Sequence, residues 1–178
     1  MDRRAHRPTP YEHKALSPKE AAVDLLAVLD HLQIEQAHLV GQSMGGWAVM
    51  GFALAHPERV RSIVLADTIG GIYNPAIEAH FDTFIRAAGQ SPPPDQLPIT
   101  QHPALGEQLA KENPAQAFLY AQIGSNSPPA PANMGLLLRT TAYDTDNIAA
   151  LNVPVLCVVG ENDPIFVPDA IREAAGML

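Results

Sequence analysis

Ser43 stands between two glycines in Gly41-Gln42-Ser43-Met44-Gly45, a spacing that suits a serine for nucleophilic attack. The residues His38 to Val40 before it read as a short buried strand. Gly46 to Ala55 after it reads as an apolar helix stopped by Pro57. A nucleophile at so sharp a strand-to-helix turn holds a strained backbone, and the residues two before and two after it are expected to approach too closely for a Cβ. Gly41 and Gly45 are expected to relieve that crowding. The turn would lift the Ser43 hydroxyl above the strand end, while the helix aims its first N–H groups at the same space. Met44 N–H is then one donor for the oxyanion of a tetrahedral intermediate, and a different loop must supply the second. A serine hydroxyl is a poor nucleophile near neutral pH, so it needs a base within reach and a carboxylate to orient that base.

The elements that position these groups follow from the chain order. Ser17-Pro18-Lys19-Glu20 starts a helix running to about Leu32. Ser17 caps it, Pro18 takes the first turn and Glu20 closes a capping box. Val23, Leu26, Ala27, Leu29 and Leu32 are expected to form its packing face, with Asp24, Asp30 and His31 solvated or at the helix end. Ser62 to Ala66 reads as a strand buried on both faces, and Pro154 to Val159 as another. A strand, helix, strand succession of this length implies a right-handed parallel crossover. Residues 67–153 far exceed what one crossover needs, so an insertion is expected there. Within it, helices are predicted over Ala76 to Ala88, Ala115 to Ile123 and Met134 to Ala142. Ser91 to Pro94 and Ser127 to Pro131 act as stiff linkers. Ile77, Phe81, Phe84 and Ile85, with Phe118, Leu119 and Ile123, are expected to pack this insertion together. Asp144 to Leu151 returns the chain to the sheet, and a last helix spans Pro168 to Ala175.

With strand, turn and helix in that order, the sequence resembles the α/β-hydrolase family in its common form carrying a mobile cap. The resemblance implies an α/β fold with a parallel sheet flanked by helices, a core of residues 1–66 and 144–178, and a helical cap of 67–143. Asp2-Arg3-Arg4-Ala5-His6-Arg7-Pro8-Thr9 resembles the family loop Asp-x-Arg-Gly-x-Gly-x-Ser, with Ala5 and Arg7 in place of its glycines. Gly160-Glu161-Asn162-Asp163-Pro164 is similar to the setting in which many members carry the acid of the triad, which assigns that role to Asp163. Asp67, just after Ala66, is the position a minority use. The order serine then aspartate agrees with the family, in which a histidine follows. All seven histidines, at 6, 13, 31, 38, 56, 80 and 102, precede Asp163. His80 and His102 are the surrogates the sequence offers, and a chain covering only the middle of the family domain is the better account. In that case the strand at His38 to Val40 is a bare apolar edge open to self-association.

The expected activity is serine-nucleophile hydrolysis of a small, mostly apolar ester or related acyl compound. Within the fold, a carbon–carbon bond hydrolase and a cofactor-free perhydrolase are alternatives. From another class, the missing histidine suggests a catalytically inactive fragment or interaction scaffold. No metal or organic cofactor is called for. Hydride transfer with a dinucleotide finds little support, because Gly41 to Gly46 lacks the acidic residue that should close a second strand. Composition bounds the rest. The chain has 178 residues, 47% of them apolar, enough for one core with an insertion. A net charge of −8 argues against nucleic acid or an anionic membrane as partner, leaving a small-molecule substrate. The single cysteine, Cys157, excludes an internal disulfide and reads as a core thiol. The start lacks a signal-type apolar region, and a cytoplasmic protein is expected.

Overall fold

The computed structural model describes residues 17–90, 105, 107–125 and 134–178. The loop expected over 1–16, the linkers at 91–94 and 127–131, and His6, His13 and His102 lie outside the described residues. The chain begins with helix α1 (Pro18–His31), strand β1 (Ala37–Gln42), helix α2 (Gly45–Ala55) and strand β2 (Val60–Ala66). Helices α3 (Pro75–Gln90), α4 (Glu107–Glu112), α5 (Pro114–Ser125), α6 (Met134–Thr140) and α7 (Thr145–Ala149) follow, then strand β3 (Val155–Val158) and helix α8 (Pro168–Ala175).

The α1 start forms as its residues dictate: Glu20 N–H donates to Ser17 Oγ at 3.2 Å while Ser17 N–H donates to the Glu20 carboxylate at 3.0 Å. Its packing face is narrower than expected. Ala22, Leu25, Leu26 and Leu29 meet the core, whereas Val23 and Leu32 are 64% and 58% exposed and Ala27 is open. The reason is that α1 packs chiefly on α2, so a single stripe suffices. Asp30, at its end, pairs with Arg59 at 2.8 Å, which also donates to the Ile34 and Glu35 carbonyls.

Among the described residues the sheet is three-stranded and parallel, in the order β1-β2-β3. Its register aligns Leu39 with Ile63, and Gly41 with Leu65 and Cys157. Leu39, Ile63 and Leu65 form the inner face, covered by α2 through Val49, Met50, Phe52 and Ala53 in one buried cluster. Cys157 is half-buried there, and burial pushes its thiol above the ordinary range. The opposite face is not covered as expected for a strand buried on both sides. The aligned row Val40, Val64 and Leu156 lies on it, with Val40 69% and Leu156 57% exposed. Alternation in a strand puts every second residue there, whatever its polarity.

Among the described residues five helices, α3 to α7, stand between β2 and β3. Ile77 and Phe81 of α3 enter the core, Phe81 stacking on Phe166 at 6.0 Å between ring centres. Phe118, Leu119 and Ile123 of α5 do not pack inward as expected. They are 50%, 58% and 65% exposed, and Ala117 is the residue α5 buries. The short α4, polar and without apolar periodicity, was not predicted. No helix among the described residues is long and apolar enough to cross a membrane.

Candidate active site

The β1-to-α2 junction carries the strain that its sequence implies. Ser43 has φ +48°, a left-handed conformation that a non-glycine residue holds at a cost of about 1–3 kcal/mol. Three backbone contacts hold it. Ser43 N–H donates to the Ala66 carbonyl of β2 at 3.0 Å, its own carbonyl accepts from Gly46 N–H at 2.9 Å, and Gly41 fits beneath. A Cβ on Gly41 would lie 2.6 Å from Val49 Cγ2 and 2.7 Å from the Gly45 carbonyl oxygen. Gly45 departs from expectation, because a Cβ there meets nothing within 4 Å. The second close approach is at Gly46, whose Cβ would lie 2.4 Å from Thr68 Oγ1. Thr68 reaches the turn from the far end of β2, a contact between strand ends that sequence spacing does not reveal.

A contrast between the two elbow glycines follows. Gly41→Ala is expected to destabilise by about 3 kcal/mol, since the Gly45 carbonyl is backbone and cannot yield cheaply. Gly45→Ala is expected within about 1 kcal/mol of the unaltered chain, on the stabilising side, because alanine suits a helix start better than glycine. Urea unfolding followed by circular dichroism reads both, and equal losses would contradict the assigned contacts.

The Ser43 side chain is exposed, and among the described residues nothing hydrogen-bonds its hydroxyl. Helix α2 begins beside it with Met44 at the cap position, and no side chain caps its first N–H groups. The start of a helix favours negative charge through its aligned backbone dipoles. Asp67 occupies the equivalent place on the next strand, immediately after Ala66, which aligns with Gln42. It too is left-handed, with φ +47°. Asp163 lies beyond the end of β3. Its Oδ1 accepts from Ile165 N–H at 2.8 Å and Phe166 N–H at 2.9 Å, and it lines an open cleft of about 700 Å³ between α4 and the loop after β3. Ser43, Asp67 and Asp163 thus share the carboxyl-terminal rim of the sheet. No hydrogen bond joins Ser43 to either aspartate among the described residues. With strands ~4.8 Å apart, the ends of β1 and β3 are separated by ~10 Å.

The histidines stand elsewhere. His38 Nδ1 is 2.7 Å from Ser62 Oγ on the open sheet face, His56 is 3.8 Å from Glu58, and His31 and His80 are exposed on helices. Among the described residues there is no cluster of three metal-ligating side chains. The helix carrying the junction is anchored from behind. Trp47 is fully buried, its indole N–H donates to the Leu138 carbonyl at 3.2 Å, and its carbonyl accepts from Tyr143 Oη at 2.6 Å. Burial pushes the Tyr143 hydroxyl up to about 12, so it remains a donor throughout the neutral range.

A parallel α/β sheet with a strained serine between a strand end and a helix start is the arrangement found in α/β-hydrolases. The chain belongs to the α/β-hydrolase fold family: residues 5–177 match the family described as alpha/beta hydrolase fold. The structure of an esterase from Thermogutta terrifontis is similar, with a TM-score of 0.73 and 25% identity over 98% of this chain. Among curated relatives, a 2-hydroxy-6-oxononadienedioate/2-hydroxy-6-oxononatrienedioate hydrolase of Paraburkholderia phymatum is 61% identical over 41 residues, 23% of this chain and 14% of that protein. A 2-hydroxymuconate semialdehyde hydrolase of a Pseudomonas species is 53% identical over 45 residues, 25% of this chain and 16% of that protein. The chain spans 65% of the length of the Thermogutta esterase.

Proposed function

We propose that this chain carries the nucleophile and the acid of a serine hydrolase acting on a small, mostly apolar ester or related acyl compound. The strained, exposed Ser43 at the start of an uncapped helix is the observation that carries the reading. Ser43 Oγ attacks the acyl carbon and gives up its proton to a base, and Met44 N–H faces the oxygen on which charge develops. The intermediate collapses with the proton returned to the leaving group, and water then releases the acyl group from Ser43. Asp163 orients the base. It stands across β2 from Ser43 on the same rim of the sheet, whereas Asp67 has its carboxylate turned to β3. Helices α3 to α6 serve as the lid, within residues 67–143, and the protein works in the cytoplasm on a small molecule without a cofactor.

The curated relatives favour a second reading on the same site, hydrolysis of a carbon–carbon bond beside a carbonyl, since both are named as hydrolases of oxo or semialdehyde dienoates. Comparing a short-chain chromogenic ester with a vinylogous 1,5-diketone, each with Ser43→Ala beside it, separates the two readings. Equal rates for the chain and Ser43→Ala on both substrates would leave a scaffold role as the answer for these residues.

A further proposal concerns self-association. Strand β1 is an edge among the described residues, carries no Asp, Glu, Lys, Arg or Pro, and adjoins the open row of Val40 and Leu156. The chain is expected to gain mass with concentration in sedimentation, and Val40→Lys to shift it toward monomer. A chain that stays monomeric at every concentration removes this proposal.

A further inference from the structure

The end of β2 holds both members of the proposed site. The Ala66 carbonyl accepts the Ser43 N–H at 3.0 Å, which fixes the nucleophile's backbone. The next residue, Asp67, grips β3 twice. Its N–H donates to the Val158 carbonyl at 2.8 Å, and its Oδ1 accepts from Gly160 N–H at 3.1 Å. The β2-to-β3 ladder ends at the pair Ala66 and Val158, so the Asp67 side chain adds one more rung beyond the last residue of strand. Without it, Gly160 N–H would leave the sheet without a protein partner.

That rung matters because of what hangs from it. The Gly160 carbonyl accepts Asp163 N–H at 3.0 Å, closing a four-residue turn. Asp163 Oδ1 then takes the amides of Ile165 and Phe166, and Phe166 is buried against Trp47 at 6.1 Å between ring centres. Asp67 therefore stands at the head of a chain of contacts that places the Asp163 carboxylate and returns to the nucleophile helix. Its left-handed backbone, φ +47°, is the conformation that turns the carboxylate toward β3. Aspartate and asparagine tolerate that conformation better than other non-glycine residues.

We infer that Asp67 is a positioning residue, whose carboxylate oxygen fixes the turn carrying Asp163 as a hydrogen-bond acceptor and not as the acid of the reaction. This rests on Asp163 being that acid, yet the hydrogen bond itself can be tested apart from catalysis. Three variants separate the contributions. Asp67→Asn keeps an acceptor oxygen and the tolerance for a left-handed backbone. Asp67→Gly keeps the backbone conformation and loses the acceptor. Asp67→Ala loses both.

Amide hydrogen exchange resolved by residue is the first readout. Gly160 N–H is expected to exchange roughly fivefold faster in Asp67→Gly, the fold-change for losing one hydrogen bond of ordinary net strength. Asp67→Asn is expected to restore the protection, and Asp163 N–H to follow Gly160. Gly160 exchanging equally fast in the unaltered chain and in Asp67→Gly would overturn the inference, whatever the hydrolysis assays show. Hydrolysis of a chromogenic ester by the same variants is the second readout. Asp67→Asn is expected to exceed Asp67→Gly in kcat at similar KM. Activity lost in Asp67→Asn and kept in Asp163→Asn would make Asp67 the acid and overturn the assignment too.

Discussion

Ser43→Ala is expected to lower ester hydrolysis to the rate of buffer alone and to abolish covalent labelling by a fluorophosphonate. Removing the nucleophile of a serine hydrolase removes about 10⁴-fold or more of the rate, since base and acid contribute only through it. The loss is not one of folding. The Ser43 hydroxyl makes no hydrogen bond among the described residues, and the contacts that fix the junction are backbone ones, Ser43 N–H to Ala66 and Gly46 N–H to Ser43. Circular dichroism and melting of Ser43→Ala are therefore expected to stay close to those of the unaltered chain. Ser43→Gly sharpens the point. Glycine holds φ +48° without the steric penalty, so this inactive variant is expected to be more stable by up to about 1 kcal/mol. An inactive chain that gains stability is the signature of strain kept for function. If Ser43→Gly melts lower, or if Ser43→Ala retains labelling, the strained serine is not the nucleophile.

The elements legible in the sequence are those fixed by short-range rules. Ser17, Pro18 and Glu20 lie within one helical turn, so the α1 start could be read directly, as could the end of α2 before Pro57. The strand-turn-helix unit around Ser43 spans fewer than two dozen residues, and its glycines and serine announce it. What escaped depends on contacts between distant residues. Thr68, which makes Gly46 and not Gly45 the second crowded glycine, arrives from the end of the following strand. The side-chain bond from Asp67 reaches Gly160, and nothing near Asp67 in sequence signals it. Leu156 and Val40 look like core residues by type, but the alternation of a strand gives them the open face. Phe118, Leu119 and Ile123 are the same case on a helix: their hydrophobicity was legible, their direction was not. The acid was the least legible part of the site. Asp67 and Asp163 each follow a strand; the Gly-x-x-Asp-Pro setting favoured Asp163 in the sequence, and the structure adds that the Asp67 carboxylate is turned to Gly160.

Trp47→Ala is expected to produce the largest loss of stability of any single substitution discussed here, about 3–5 kcal/mol. Trp47 has no exposed surface and packs at 6.4 Å from the Tyr73 ring and 6.1 Å from Phe166, while its indole N–H holds the Leu138 carbonyl of α6. Three segments distant in sequence therefore meet on one side chain two residues into α2. Truncation leaves a large cavity and removes one of the two hydrogen bonds to the Leu138 carbonyl, which keeps Thr141 N–H as a donor, and both effects act in the same direction. In a chain of this length the melting temperature should fall by roughly 10 °C or more. Trp47→Phe separates the two effects, since it fills most of the volume but lacks the N–H, and about 1–2 kcal/mol is expected from it. Urea unfolding by far-ultraviolet circular dichroism is the suitable measurement, because Trp47 is the only tryptophan and its fluorescence disappears with it. The consequence for the site comes through α2. Its first turn follows directly on Ser43, and Trp47 is what ties that turn to α6 and to the loop after Asp163. A Trp47→Ala chain that unfolds within about 1 kcal/mol of the unaltered one would mean that the anchoring lies elsewhere, and the coupling drawn here between the nucleophile helix and the inserted helices would fail with it.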